Sequence, residues 1–469
     1  MVYNVLDKNL KRNADMKIKN VDMLKGNLFR SIISYSIPLM LIALVQTLFN
    51  AVDIMVLGAM ADTNAVASVG ATSMIIHLCV TAFFGLSSGV KIVLAHLLGA
   101  KNTEQTQKCV STSIITAFGF GILLATVGFV LSPLFLRLTN CPAECMEGAT
   151  LYMRIYIGAA PILLLYNFGS SILQAAGDTQ RPLYYMLISG VLNVALNFVL
   201  CLVLEQKVAA VAIATVVSQA VGFLLLLRRL FRVDGPCRRQ LNKLTFSFAA
   251  FKKIMYNGLP ISFTSALYSI SNLQIQAAIN SYGPATIAGN SAMASLEGIT
   301  NTVASAPWAT ACTAFIGQNL GAKNKERVLR TAIYTLLLSA SLGLVIGVLG
   351  SVFSRPLLSL YVHEEAAILA GQTRMMYTLL PYAIACINGI LAHIIQAFGH
   401  AIFPTVNSIC SVLILRIFWM AFVYPINPTL DLLCRCFLVS WCMILVFNIT
   451  FTCYLYYAEF KKDKIKKMM

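Results

Sequence analysis

Asp53 and Glu297 are the two acidic residues set well inside long apolar stretches of this 469-residue chain; its other acids fall in termini, loops or the first turns of helices. An ionised Asp near the centre of a bilayer costs about 2.5 to 3.5 kcal/mol even on lenient scales, so a carboxylate there is by default a proton or cation site. Asp53 closes a polar line, Gln46, Asn50 and Asp53, inside the apolar run from Asn27 to Met60. The spacing is i, i+4, i+7, which puts all three on one helical face, turned toward a cavity. Polar partners recur later: Asn193 and Asn197 at i, i+4, and Thr215 in Ala212-Ile213-Ala214-Thr215. One carboxylate with amide and hydroxyl oxygens makes a hard-oxygen shell suited to Na⁺, or a hydrogen-bond cage for a protonated Asp. The competing structural reading is that the same amides only bond helix to helix.

The elements that must hold these groups are membrane helices. Hydrophobic residues make up 58% of the chain, charged residues 11%, and the mean hydropathy is +0.77, far from soluble composition. Splitting the apolar runs at Gly, Pro, Asn and charge clusters gives twelve spans: 30–60, 65–98, 104–136, 147–176, 182–204, 208–231, 254–282, 286–320, 326–353, 365–398, 402–424 and 431–459. Lipid-exposed backbone must satisfy its own hydrogen bonds, so all are helical. The fold class expected is an all-α polytopic membrane protein.

The 35 Lys and Arg against 18 acids, a net charge of +17, read as topology and not as nucleic-acid binding. The bases gather in segments that alternate spans assign to the cytoplasm, which puts both termini on the cytoplasmic side of a cell (plasma) membrane. The basic first thirty residues lack the short apolar core of a signal peptide, and none is expected. Thirteen cysteines, mostly within apolar runs, read as small core residues; Cys141 and Cys145 share a loop but are a weak disulfide signal. No phosphate-binding loop, nucleophile elbow or metal-ligand spacing is evident, so neither an enzyme nor a cofactor is expected.

An internal repeat is legible. Leu98-Gly99-Ala100-Lys101-Asn102 recurs as Leu320-Gly321-Ala322-Lys323-Asn324, an offset of 321 − 99 = 222. The same offset pairs Pro38 with Pro260, Gln174 with Gln396, Gly177 with Gly399 and Pro182 with Pro404. Such agreement in register indicates duplication, and with six spans per copy the halves are related by an axis along the membrane normal. The expected organisation is a cytoplasmic arm at 1–29, an N-lobe of six spans at 30–231, a cytoplasmic linker at 232–253, a C-lobe of six spans at 254–460 and a basic tail at 461–469.

These motifs resemble a known family. Gly317-Gln318-Asn319-Leu320-Gly321-Ala322, its degenerate copy from His96 to Ala100, Gly85-Leu86-Ser87-Ser88-Gly89, Gln174-Ala175-Ala176-Gly177-Asp178-Thr179 and Val52-Asp53 look like the MATE (multidrug and toxic compound extrusion) transporters, over essentially the whole chain. The resemblance implies a cation-coupled antiporter, using H⁺ or Na⁺, that exports organic compounds, often cationic or aromatic, from a V-shaped cleft between two lobes. It implies partners limited to small organic substrates and membrane lipid, no nucleic acid, and a monomer. Carried over residue by residue, Asp53, Asn193, Asn197 and Thr215 match the N-lobe cation site, including any Na⁺, and Gln46 matches a cavity-lining position. Where Asn197 stands, some members carry a second carboxylate. The nearest rival is a lipid-linked oligosaccharide flippase, for which the in-span bases are few.

The second half departs from members that bind a cation there. Its first span lacks an acid, its fourth offers Asn388 and His393, and Arg416 pairs by the offset with Val194, next to the equivalent of Asn193. A fixed positive charge at the mirrored site repels a cation, so coupling through the N-lobe alone is expected. Glu297 has two readings, an ion pair with Arg416 or attraction of a cationic substrate in a cavity that also holds Gln46, Asn50 and Asn388. Lys91, near the end of the second span, reads as snorkelling to the surface. His77, His393 and His400 are isolated, and His96 stands where the repeat has Gln318, which suggests a shared polar contact.

Overall fold

A computed structural model of the chain describes residues 20–60, 63–139, 141–232, 236–237 and 244–458. The basic tail, the first nineteen residues and much of the linker lie outside them. Among the described residues twelve helical passes follow one another. They are α1 (Leu28–Met60), α2 (Thr63–Gly99), α3 (Thr103–Leu138), α4a (Met146–Gly158) with α4b (Ala160–Ala175), α5 (Gln180–Val203) and α6 (Lys207–Arg232). The second set is α7 (Phe248–Asn280), α8a (Pro284–Ala304) with α8b (Ala306–Gly321), α9 (Lys325–Val352), α10a (Glu365–Thr378) with α10b (Tyr382–Ala397), α11 (Ile402–Ile426) and α12 (Leu430–Tyr456). Two expected single spans are broken: the α4 halves meet at 46° and the α10 halves at 45°. Pro161 and Pro381 stand at those breaks, where a missing N–H and a fixed φ end one helix and start the next.

Among the described residues eight helices, or ten if each bent pair is one span, are long and apolar enough to cross a membrane; α7 and α8 fall outside that set. Their sequences explain it, since α7 carries Ser262, Thr264, Ser265, Ser269, Ser271, Asn272, Gln274 and Gln276, and α8a carries Asn290, Glu297 and Asn301. These two passes are held by neighbours and hydrogen bonds more than by lipid.

The duplication persists down to single dihedral angles. Lys101 and Lys323 both take the left-handed conformation, at φ 54° and 57°, as do Gly177 and Gly399, at 86° and 87°. For Lys this region is sterically unfavourable, so its use at both equivalent turns reflects the helix ends that meet there. Asn102 and Asn324 then cap α3 and α9, accepting from the amides of Gln105 and Arg327.

The lobes close on each other at the end that carries these two turns. A Cβ on Gly99 would lie 1.9 Å from the Gln318 carbonyl, and one on Gly321 would lie 2.1 Å from the His96 carbonyl, so only glycine permits the approach. Gly85 and Gly89 let α2 meet the backbone of Ser262 and Gly258 on α7 in the same way. Two mirrored hydrogen bonds cross this closed end: Gln318 Nε2 donates to the Ala175 carbonyl and His96 Nε2 contacts the Ala397 carbonyl, each at 2.6 Å. Residues 20–27 tie both halves together, through Val21 to Gly177 and through the carbonyl of Met23 to Asn319 and Arg327.

Candidate functional site

In the first half α1, α5 and α6 bring the expected polar groups into one cluster. Asp53 is 6% exposed, Asn193 3%, Asn197 0% and Thr215 8%. Asn197 donates from Nδ2 to Asp53 Oδ1 at 2.6 Å and, more weakly, to Asn193 Oδ1 at 3.3 Å. Asn193 Nδ2 donates to Thr215 Oγ1 at 3.2 Å. The Thr215 hydroxyl has one hydrogen to share between Asp53 Oδ2 at 3.2 Å and the Val211 carbonyl at 3.0 Å. Around the cluster Val56, Leu57, Tyr152, Cys201 and Val211 form an apolar wall that keeps the carboxylate from lipid.

The ligand chemistry of the cluster fits a small cation. Asn197 Oδ1 is buried with no hydrogen-bond partner, although its own amide nitrogen serves the carboxylate. Half a turn of that amide would present the oxygen to a proton or Na⁺ held on Asp53, completing an all-oxygen shell with Thr215 and Asn193. Among the described residues no group of three His, Cys, Asp or Glu side chains converges as a transition-metal site, and Cys141 and Cys145 are free thiols.

The cavity residues divide. Gln46 is exposed on α1, where a bare amide facing hydrocarbon would be costly. The Asn50 side chain lies outside the described residues. Asn388 is buried in the second lobe, its Nδ2 on the Trp441 carbonyl and its Oδ1 without a partner.

In the second half the corresponding space, between α7, α11 and α12, holds a guanidinium. Arg416 is 2% exposed and donates to Asn272 Oδ1 at 3.0 Å and to Ser271 Oγ and Ser440 Oγ at 3.3 Å. Its charge lies 4.6 Å from the centre of the Phe437 ring. Two π-helical stretches, Ile409–Ile414 and Trp419–Val423, interrupt α11; such wide turns absorb an added residue. Arg416 therefore reaches the same trio of helices that Asn193 addresses in the first half, although the plain offset assigns it to Val194.

The expected pairing of Glu297 with Arg416 is corrected. Glu297 instead forms a two-pronged bridge with Arg374 on α10a, 2.8 Å to Nη2 and 3.2 Å to Nε, and Arg374 also donates to Asn290 Oδ1. The reason is placement: α10a packs along α8a, whereas Arg416 lies across the Phe437 ring, which Arg374 also approaches, at 5.1 Å. The signal for the pairing is Gly289, where a Cβ would lie 2.1 Å from the Ala367 carbonyl and 2.9 Å from the Gly371 amide, so that α10a approaches α8a closely.

Lys91 is likewise corrected. It is 3% exposed and, among the described residues, has neither an ion pair nor a hydrogen bond, so its ammonium does not snorkel to the surface. His393 bonds through Nδ1 to the Thr313 hydroxyl at 2.8 Å and is not isolated.

Comparison with known proteins agrees with this construction. The MatE family matches twice, at residues 38–199 and 260–422. The probable multidrug resistance protein YoeA of Bacillus subtilis is 28% identical over 83% of this chain and 85% of its own length. The probable multidrug resistance protein YpnP of the same organism is 27% identical over 85% of this chain and 89% of its own length. A solved multidrug resistance MATE family transporter of the MOP superfamily, in an outward-facing conformation, superposes with a TM-score of 0.85 at 21% identity, covering 94% of this chain and 99% of the other. Two tandem family matches, twelve helical passes in two mirrored lobes and relatives aligned over most of their length lead to one conclusion: the chain is a multi-pass membrane protein that belongs to the MatE family of multidrug and toxic compound extrusion transporters.

Proposed function

We propose that the protein is an antiporter that exports organic, aromatic-bearing compounds in exchange for H⁺ or Na⁺, by alternating access between its two lobes. The observation that carries this reading is the buried Asp53 in its cage of Asn193, Asn197 and Thr215, with the Asn197 oxygen left unpartnered. Binding of one cation at that carboxylate removes an uncompensated charge from the lobe interior and changes which amide orientation is favoured. That rearrangement, passed along α1 to Gln46, links the cation to the cleft. One charge moving through 100 mV supplies about 2.3 kcal/mol, enough to hold a roughly 50-fold gradient of a neutral substrate.

The reading of Glu297 as a free carboxylate that attracts a cationic substrate is weakened, because Arg374 engages it. By the excess of Lys and Arg in alternate loops, the closed end of the lobes and both termini face the cytoplasm of a plasma-membrane protein. The protein works as a monomer, with small organic substrates and lipid as its partners and no cofactor besides the exchanged ion. Efflux of a fluorescent organic probe from proteoliposomes, with Na⁺ and pH gradients imposed separately, tests the reading. Export that follows one of the two gradients is expected. Probe movement indifferent to both would overturn it.

A further inference from the structure

The walls between the lobes carry matched gradients of burial. On α2, Phe84, Ser88, Lys91 and Ala95 form one helical stripe whose exposure falls from 55% to 7%, 3% and 0%. The repeat maps these onto Ala306, Thr310, Thr313 and Gly317 on α8b, which pass from exposed through half-buried to buried. The two stripes converge where Gly317 receives Ala95, since a Cβ on that glycine would lie 2.8 Å from the alanine methyl. One turn above that convergence, at the floor of the opening, stand Lys91 on one side and the Thr313–His393 pair on the other. α8b packs along both α2 and α10b, which brings the His393 ring to the level of the ammonium.

An ammonium buried this deeply is ordinarily paired. Here the acids within the lobes are committed elsewhere, Asp53 to its amide cage and Glu297 to Arg374. From this geometry we infer that the cleft floor is a binding site for an anionic oxygen group, a carboxylate or phosphate, carried by an aromatic substrate. Lys91 supplies the charge. His393, through the ring nitrogen that Thr313 leaves free, supplies a second donor, and the exposed Phe84 ring forms the wall above for the aromatic part. The inference rests on the export reading above and narrows its substrate to organic anions or zwitterions.

Carboxyfluorescein is the anionic probe and ethidium the cationic one. Binding of each to the full-length protein in nanodiscs is read by fluorescence anisotropy, and gradient-driven efflux is read in proteoliposomes. Carboxyfluorescein is expected to bind, Lys91→Gln to weaken it about 10-fold or more, as for loss of a hydrogen bond to a charged group, and Lys91→Arg to retain most of it. Equal carboxyfluorescein affinity in the wild type and Lys91→Gln, or ethidium bound and exported while carboxyfluorescein is ignored, overturns the anion site and leaves export standing. Lys91-dependent binding with no gradient-driven movement supports the site and overturns the export reading. Neither probe binding nor moving overturns both.

Discussion

The two lobes are built from one duplicated sequence, yet the same pocket holds opposite charges. Between α1, α5 and α6 lies a carboxylate whose charge is balanced only by amide and hydroxyl dipoles. Between α7, α11 and α12 lies a guanidinium bonded to Asn272, Ser271 and Ser440 and stacked on Phe437. The first arrangement is incomplete, with one buried oxygen unpartnered, and gains from a mobile cation. The second carries its cation covalently and has nothing to gain or release. On the antiport reading proposed above, this asymmetry would leave one half to respond to the ion gradient while the other, which holds the Glu297–Arg374 bridge, serves as a frame.

The largest effect should come from removing the charge that only the first lobe has. Asp53→Asn is expected to reduce gradient-driven efflux about 100-fold, the upper end of usual coupling energies, while leaving a monodisperse protein by size-exclusion chromatography. Near-normal coupled efflux in that variant would erase the functional difference between the lobes. Glu297→Gln tests the frame: leaving Arg374 without its carboxylate is expected to destabilise the protein by about 2 kcal/mol, a value below that of fully buried pairs because the bridge is partly exposed. Thermal unfolding in detergent reads this, and adding Arg374→Gln should restore much of the loss. Intact stability with selective loss of cation export would return Glu297 to the substrate cavity.

Asn197→Asp sharpens the comparison in the opposite direction, by making the first pocket more acidic. If Na⁺ is the coupling ion, the added carboxylate should lower the half-saturating Na⁺ concentration about 10-fold, since ligand charge tunes affinity in oxygen sites. An unchanged Na⁺ dependence would place the ion elsewhere. The smallest effect concerns the mirrored latch. Gln318→Ala removes one of the two hydrogen bonds across the closed end and should shift the balance of lobe conformations by about 1 kcal/mol, roughly fivefold. Distance measurements between spin labels on the two lobes would detect it.

The acid of the first pocket and its three partners were legible in the sequence because polar residues inside apolar helices are few and their helical spacing assigns them a face. The repeat was legible for a related reason, since turns such as Leu98–Asn102 and Leu320–Asn324 demand particular residues at particular angles. Partnerships across helices were less so. Glu297 was assigned the wrong arginine because a one-dimensional pattern says which face a side chain occupies but not which helix covers it. Lys91 was read as surface-seeking for the same reason: its distance from the end of α2 permits snorkelling, and only the packing of α7 and α8b against that helix closes the route.

Composition, periodicity and the internal repeat by themselves determined a helical membrane protein in two related halves, with an acid among polar partners inside the first. These properties follow from the energetics of single side chains and single helices in lipid, which act residue by residue. The tertiary structure alone decided which charges meet. It joined Glu297 to Arg374, turned Arg416 into the mirrored pocket through the π-helical stretches of α11, and left Lys91 unpaired where the lobes converge. Those outcomes depend on distances between helices remote in the chain, where Coulomb energy changes steeply with a few ångströms of approach and a one-residue widening of a helix is enough to redirect a charge.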